Sequence, residues 1–176
     1  SPLIPPYPAF LKYPVSPHLL LAFLRDHNTA RSVLDVFNDL YAMFGRETYC
    51  RLFPVILTDR GSEFSNPVPI EQDENDELRS LVFYCNPSAP YQKGGIEVAH
   101  ELVRRVLPKG KSFDDLQQED IDLMLSHINS YKRGKLNSRS AYQLFSFIYG
   151  DDILPKLNIR EIEANDIVLS PKLLKK

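Results

Sequence analysis

The chain has 176 residues, 43% hydrophobic and 25% charged, with a formal net charge of −2. That length supports one core of ordinary size, and the composition excludes a disordered chain. The near-neutral balance gives no global sign of a nucleic-acid partner, so any such case has to be made locally. Cys50 and Cys85, far apart and without CxxC spacing, read as reduced thiols of a cytoplasmic protein. No apolar run is long enough to span a bilayer and nothing resembles a signal peptide, so neither a membrane location nor secretion is expected.

Residues 1–17 hold Pro2, Pro5, Pro6, Pro8, Pro14 and Pro17. Proline lacks the backbone donor and fixes φ, so an irregular proline-rich arm is expected, with at most a short edge strand near Phe10–Tyr13. Leu19–Leu24 is continuously apolar and ends at Arg25-Asp26, the pattern of a buried strand. Val33, Leu34, Val36, Phe37, Leu40, Tyr41 and Phe44 then recur with helical spacing, and Gly45 is the stop signal. Val55–Leu57 reads as a strand covered on both faces. Residues 66–77, with Pro67, Pro69 and the acidic cluster Glu71, Asp73, Glu74, Asp76 and Glu77, read as a solvated surface loop.

Leu81–Cys85 reads as another strand, closed by Asn86-Pro87. Ile96, Ala99, Val103 and Val106 mark a helix from Gly95 to Leu107, ended by Pro108-Lys109-Gly110. Helices follow over 117–131 and Ala141–Tyr149, the second behind a cap at Ser138 or Ser140. Residues 150–176 show little pattern. Strands alternating with helices give an α/β chain, a sheet flanked by helices in one domain with a helical C-terminal extension.

Two carboxylates stand out. Asp59 follows the apolar run Val55–Leu57 just before Gly61, at the carboxyl edge where open α/β sheets place their sites. An ordinary Asp-x-Gly turn explains Asp59 as readily when it is taken alone. Glu97 lies near the start of its helix, where the macrodipole favours negative charge, and Glu101 and Arg104 extend a plain surface ladder from it. Together the two acids suit a hard divalent cation. His100, one turn beyond Glu97, has no His-x-x-His or cysteine companion and is not counted as a ligand.

Positive charge gathers on and after the Glu97 helix, in Lys93, Arg104, Arg105, Lys109, Lys111, Lys132, Arg133, Lys135 and Arg139. Each alone is explained by a solvated helix face; as a group beside two carboxylates they read as a phosphate-binding surface. Tyr91 and Gln92, in the loop before the helix, are candidates for touching a strand end, with packing an equal reading for Tyr91.

The segments Leu57-Thr-Asp-Arg-Gly-Ser-Glu-Phe-Ser-Asn-Pro67, Asn86-Pro-Ser-Ala-Pro-Tyr-Gln-Lys-Gly94 and Arg104-Arg-Val-Leu-Pro-Lys-Gly110 closely resemble the catalytic core of bacterial insertion-sequence transposases of the Asp-Asp-Glu class. These belong to the integrase-like, ribonuclease H-like superfamily. Leu21–Asp26, His127–Tyr131 and Leu136–Ser140 continue the resemblance in unbroken order over about residues 19–176.

The resemblance implies a ribonuclease H-like sheet flanked by helices, N-terminally incomplete. Residues 18–110 would be the integrase-like core lacking its opening strand or strands, and residues 111–176 its helical C-terminal part. It further implies transposition by two-metal phosphodiester cleavage and strand transfer, with Asp59 and Glu97 as the second and third acidic ligands. Mg²⁺ would be the cofactor, with Mn²⁺ as an alternative. The partners would be transposon ends, target DNA and further protomers of full-length transposase.

The chain departs from the family in three ways. No Asp or Glu precedes Asp26, which itself matches a later family position, so the first acidic ligand is missing. The family's N-terminal helix-turn-helix region is also missing, and Val98-Ala99 stand where relatives tend to carry amides. These departures imply a truncated chain that is inactive alone. They leave an alternative function, a remnant that only binds DNA or associates with other protomers.

Overall fold

The computed structural model describes residues 19–58, 61–85 and 94–174, and of residues 94–97 and 99 the backbone alone. The proline-rich arm, including the edge strand expected near Phe10–Tyr13, lies outside the described residues. Helix α1 (Ala30–Leu52) begins at Thr29, whose hydroxyl accepts from the Ser32 N–H while Ser32 answers with its own side chain. Gly45 takes φ 73° and ψ 165°, which glycine adopts without penalty, and α1 kinks there. The predicted stop is therefore a bend. The apolar spacing resumes with buried Tyr49 and Leu52, and this second packing face restores the helix beyond Gly45.

Strands β1 (Val55–Thr58) and β2 (Leu81–Tyr84) form a parallel two-stranded sheet, in register from Val55↔Leu81 to Thr58↔Tyr84. Ile56 and Thr58 of β1 are buried, whereas Leu81, Phe83 and Tyr84 of β2 are exposed.

The segment between the strands is not the solvated loop expected. It contains a short helix, α2 (Val68–Glu71), and a bridge between Gln72 and Leu78. Pro67 and Pro69 are compatible with that turn because first-turn N–H groups have no intrahelical partner anyway. Asp73, read as part of a solvated acidic cluster, is its hub. It accepts from Tyr41 at 2.8 Å, from Arg46 at 3.0 Å and from the backbone of Asn75 and Glu77.

Buried Arg79 locks α1, α2 and the start of β2 together. Its guanidinium donates to the Ile70 and Pro69 carbonyls and to Asn38 Oδ1, and lies over the Tyr41 and Tyr49 rings.

Helices α3 (Gly94–Val106) and α4 (Gln118–Ser130) complete the centre, with Leu102, Val106, Leu107, Met124 and Ile128 buried. Leu19–Leu24, expected as a strand, joins no sheet among the described residues. Its Leu20, Leu21 and Ala22 are buried as the apolar pattern requires, but its backbone is served by side chains of α4. Asn129 accepts from the Leu20 N–H and donates to the Leu20 carbonyl, both at 2.8 Å. Gln118 accepts from the Leu24 N–H and donates to the Ala22 carbonyl. Carboxamides present the same donor and acceptor as a peptide unit, so they substitute for a neighbouring strand.

The opposite flank of α4 does the same for the tail. Ser126 accepts from the Arg160 N–H, Ser130 from the Ile162 N–H, and His127 Nδ1 from the Val168 N–H. The patternless tail is thus anchored, and its Ile153, Leu154, Leu157, Ile159 and Leu174 join one hydrophobic cluster that begins at Leu20.

A hairpin of β3 (Lys132–Arg133) and β4 (Arg139–Ser140) interrupts the expected run of helices. Helix α5 (Ala141–Tyr149) follows, with Ser140 rather than Ser138 as its cap, and then the short α6 (Ile153–Lys156). The described residues are therefore mixed α/β and mostly helical, with two small sheets. Cys50 and Cys85 are free thiols, as expected. No helix among the described residues is long and apolar enough to cross a membrane.

Candidate functional site

β1 and β2 end together. Thr58 pairs with Tyr84, and the Cys85 N–H donates to the Thr58 carbonyl at 2.8 Å. From this carboxyl edge the sequence continues into Asp59 on one side and toward α3, the Glu97 helix, on the other. Asp59 itself lies outside the described residues, as do Tyr91, Gln92 and Lys93; Glu97 is placed on α3 by its backbone alone. No group of three His, Cys, Asp or Glu suited to holding a metal occurs among the described residues, which leaves the Asp59–Glu97 pair untouched. His100 is exposed on α3.

The segment after Asp59 has a different physical basis from the one its glycine suggests. Gly61 has φ −59°, which any residue adopts, so no unusual turn requires it. What occupies the space is Glu63: a Cβ on Gly61 would lie 2.7 Å from its carboxylate. The short helical turn Ser62–Phe64 is tied back to the sheet by the Tyr84 hydroxyl, which donates to the Phe64 carbonyl. Tyr84 was not singled out from sequence, because an aromatic residue in a strand ordinarily signals packing.

The structure brings part of the basic group together. Arg105, in the last turn of α3, pairs with Glu101 at 2.7 Å. That bond, helped by a further contact with Tyr131, holds the Arg105 pKa up. Tyr131 immediately precedes β3, and through it the end of α3 meets the hairpin that carries Lys132, Arg133, Lys135 and Arg139. Arg104, Lys109 and Lys111 are exposed on the end of α3 and the turn beyond it. Arg133 is half-buried, and burial lowers its pKa. Asn137 and Ser138, between the two strands, both take positive φ.

The matched segment His127–Tyr131 has a structural use. His127, Asn129 and Ser130 point inward to serve backbone groups, and burial followed by nearby Arg160 lowers the His127 pKa.

Over 120 residues the chain is 30% identical to the ORF3 product of Spiroplasma virus SpV1-R8A2 B, named as an integrase. That match covers 68% of this chain and 35% of the viral protein. It is 33% identical over 76 residues to the transposase for insertion sequence element IS1086 of Cupriavidus metallidurans, covering 42% of this chain and 22% of that protein. The chain is a relative of insertion-sequence transposases. A third member of this group, the transposase for IS4351 of Bacteroides fragilis, is 27% identical over 97 residues, which is 55% of this chain and 28% of that transposase. The chain thus spans about a third or less of the length of these relatives. No protein-family model matches this transposase relative, and no solved structure does.

Proposed function

We propose that this chain is the catalytic-core portion of a transposase, of the Asp-Asp-Glu class and ribonuclease H-like in fold, that cuts and rejoins DNA at transposon ends. The observation that carries the reading is the kinship with transposases and an integrase. The shared carboxyl edge of β1 and β2 supports it, because the sequence leads from that edge into both acids.

The donor set fits divalent magnesium: Asp59 and Glu97 offer hard carboxylate oxygens, and no cysteine–histidine grouping among the described residues competes for a softer metal. When bound, two such ions supply activation of the attacking hydroxyl and stabilisation of the leaving oxygen. The chain's own part is to hold the two carboxylates on segments braced by the β1–β2 ladder and by Tyr84, and to bind the DNA backbone with the basic surface from Arg105 to Arg139. Transposon ends, target DNA and further transposase protomers are the partners, in the cytoplasm.

The test is a cleavage and strand-transfer assay with the element's own ends, Mg²⁺ or Mn²⁺, and a complementing transposase. Glu97→Gln and Asp59→Asn are expected to abolish joining; retention of full activity by Glu97→Gln refutes the assignment.

A second reading applies to the 176-residue polypeptide by itself. Within these residues Asp59 and Glu97 are the acids that match the family's ligand positions. On this reading it binds DNA or other protomers without cutting. Mg²⁺-dependent cleavage by the polypeptide alone refutes that.

A further inference from the structure

Resting on the DNA-binding reading above and deepening it, we propose that Arg133 and Arg139 together seat a single backbone phosphate of the bound DNA. The two are directly opposite on the β3–β4 hairpin. Residues opposed in an antiparallel ladder project from the same face, with Cβ atoms about 5 Å apart. The ladder is short, with Lys132↔Ser140 as its one other pair, so the two arginines lie at its loop end.

The ion pairs seen among the described residues involve Arg31, Arg46, Arg105 and Lys156. Arg133 carries an anomaly. Its Nε and Nη2 are covered by protein and have no hydrogen-bond partner among the described residues. Burial lowers its pKa. A covered guanidinium with unmade hydrogen bonds destabilises the free protein. Local arrangements that work against stability are expected where function requires them.

One anion removes this defect. A phosphate between the arginines offers oxygens matched to the planar guanidinium fork. To reach it, Arg133 rotates out of its covered position, a side-chain change of the kind common at interfaces. The surroundings suit a DNA strand: Lys132 and Lys135 are exposed beside the pair, and Tyr131 joins this hairpin to Arg105. A shared seat also separates these two arginines from the exposed Lys109 and Lys111, each of which would meet its own phosphate.

The experiment measures binding of a labelled DNA duplex by fluorescence anisotropy across a KCl series, together with thermal unfolding. It uses the whole chain as wild type, Arg133→Met, Arg139→Gln and the double variant, with a Lys109→Gln/Lys111→Gln variant for comparison. Both single substitutions are expected to weaken binding several-fold. The double variant should lose less than the product of the single losses, and its log–log salt slope should fall by about 0.9, one phosphate's worth. Arg133→Met should melt at or above the wild-type temperature.

Multiplicative losses with a slope change of about 1.8 would mean two separate phosphates and overturn the proposal. Unchanged binding in both single variants, with weakened binding in the lysine variant, overturns it while leaving the DNA reading intact. A wild-type chain that binds no duplex overturns both. Should Arg133→Met fail to fold, Arg133→Lys keeps the charge without the fork; undiminished affinity in that variant also overturns the shared seat.

Discussion

Asn129→Ala should be among the most damaging single substitutions in the chain. The Asn129 side chain is fully buried, and its carboxamide satisfies both the N–H and the carbonyl of Leu20 at 2.8 Å. Alanine removes both partners at once, and Leu20 is itself 4% exposed, so water has little access to either orphaned group. An unsatisfied buried backbone group costs about 1–3 kcal/mol, which puts the pair at about 2–6 kcal/mol before any cavity is counted. Against a total stability of about 5–15 kcal/mol this is a large share. For a chain of this size it corresponds to a fall in Tm of about 5–20 °C. Urea unfolding followed by circular dichroism measures the loss, and amide hydrogen exchange at Leu20 reports whether the 19–24 segment has come away from α4. A loss below about 1 kcal/mol with the Leu20 amide still protected would refute the idea that carboxamides of α4 stand in for a strand.

His127 gives a pH dependence. Burial lowers its folded pKa below the ordinary 6.5, so the unfolded chain takes up the proton first as pH falls. Its contribution is fully present above pH 6.5 and is lost as pH falls toward and through the folded value; stability measured from pH 7.5 to 5 should drop, and His127→Gln should flatten that drop. Arg79→Met should cost about 3 kcal/mol or more by urea unfolding, because it strands the Ile70 and Pro69 carbonyls and Asn38 Oδ1; a loss under about 1 kcal/mol would show that water replaces the guanidinium. Gly61→Ala should cost less than about 1 kcal/mol, since its φ is ordinary and the blocking atoms end a flexible side chain. Adding Glu63→Ala should remove even that loss; a large residual defect in the double variant would place the constraint in the backbone.

What was legible in the sequence is what local rules control. Helices α3, α4 and α5 were placed within a residue or two of their observed ends, because apolar spacing and caps such as Ser140 act over one or two turns. Strands β1 and β2 were legible as short apolar runs, and Asp59 and Glu97 as acids in a family context, although their side chains lie outside the described residues. The kinship itself was carried by motifs, which need no tertiary information.

Tertiary structure alone decided what the polar residues are for. Asp73 looked solvated and is a hub, because Tyr41 and Arg46 arrive from a helix distant in sequence. Gly61 looked like a turn residue and is instead a vacant space beneath Glu63. His127, Asn129 and Ser130 read as part of a family motif, and serve the backbone of Leu20 and of the tail across long sequence separations. Leu19–Leu24 carried a true signal for burial and a misleading one for pairing. An apolar run reports that a segment leaves water, which is set by its own side chains. Whether its backbone then meets a strand or a row of carboxamides depends on which neighbours the fold delivers. The opposition of Arg133 and Arg139 is of the same kind: their charges are in the sequence, and only the hairpin register sets them opposite each other.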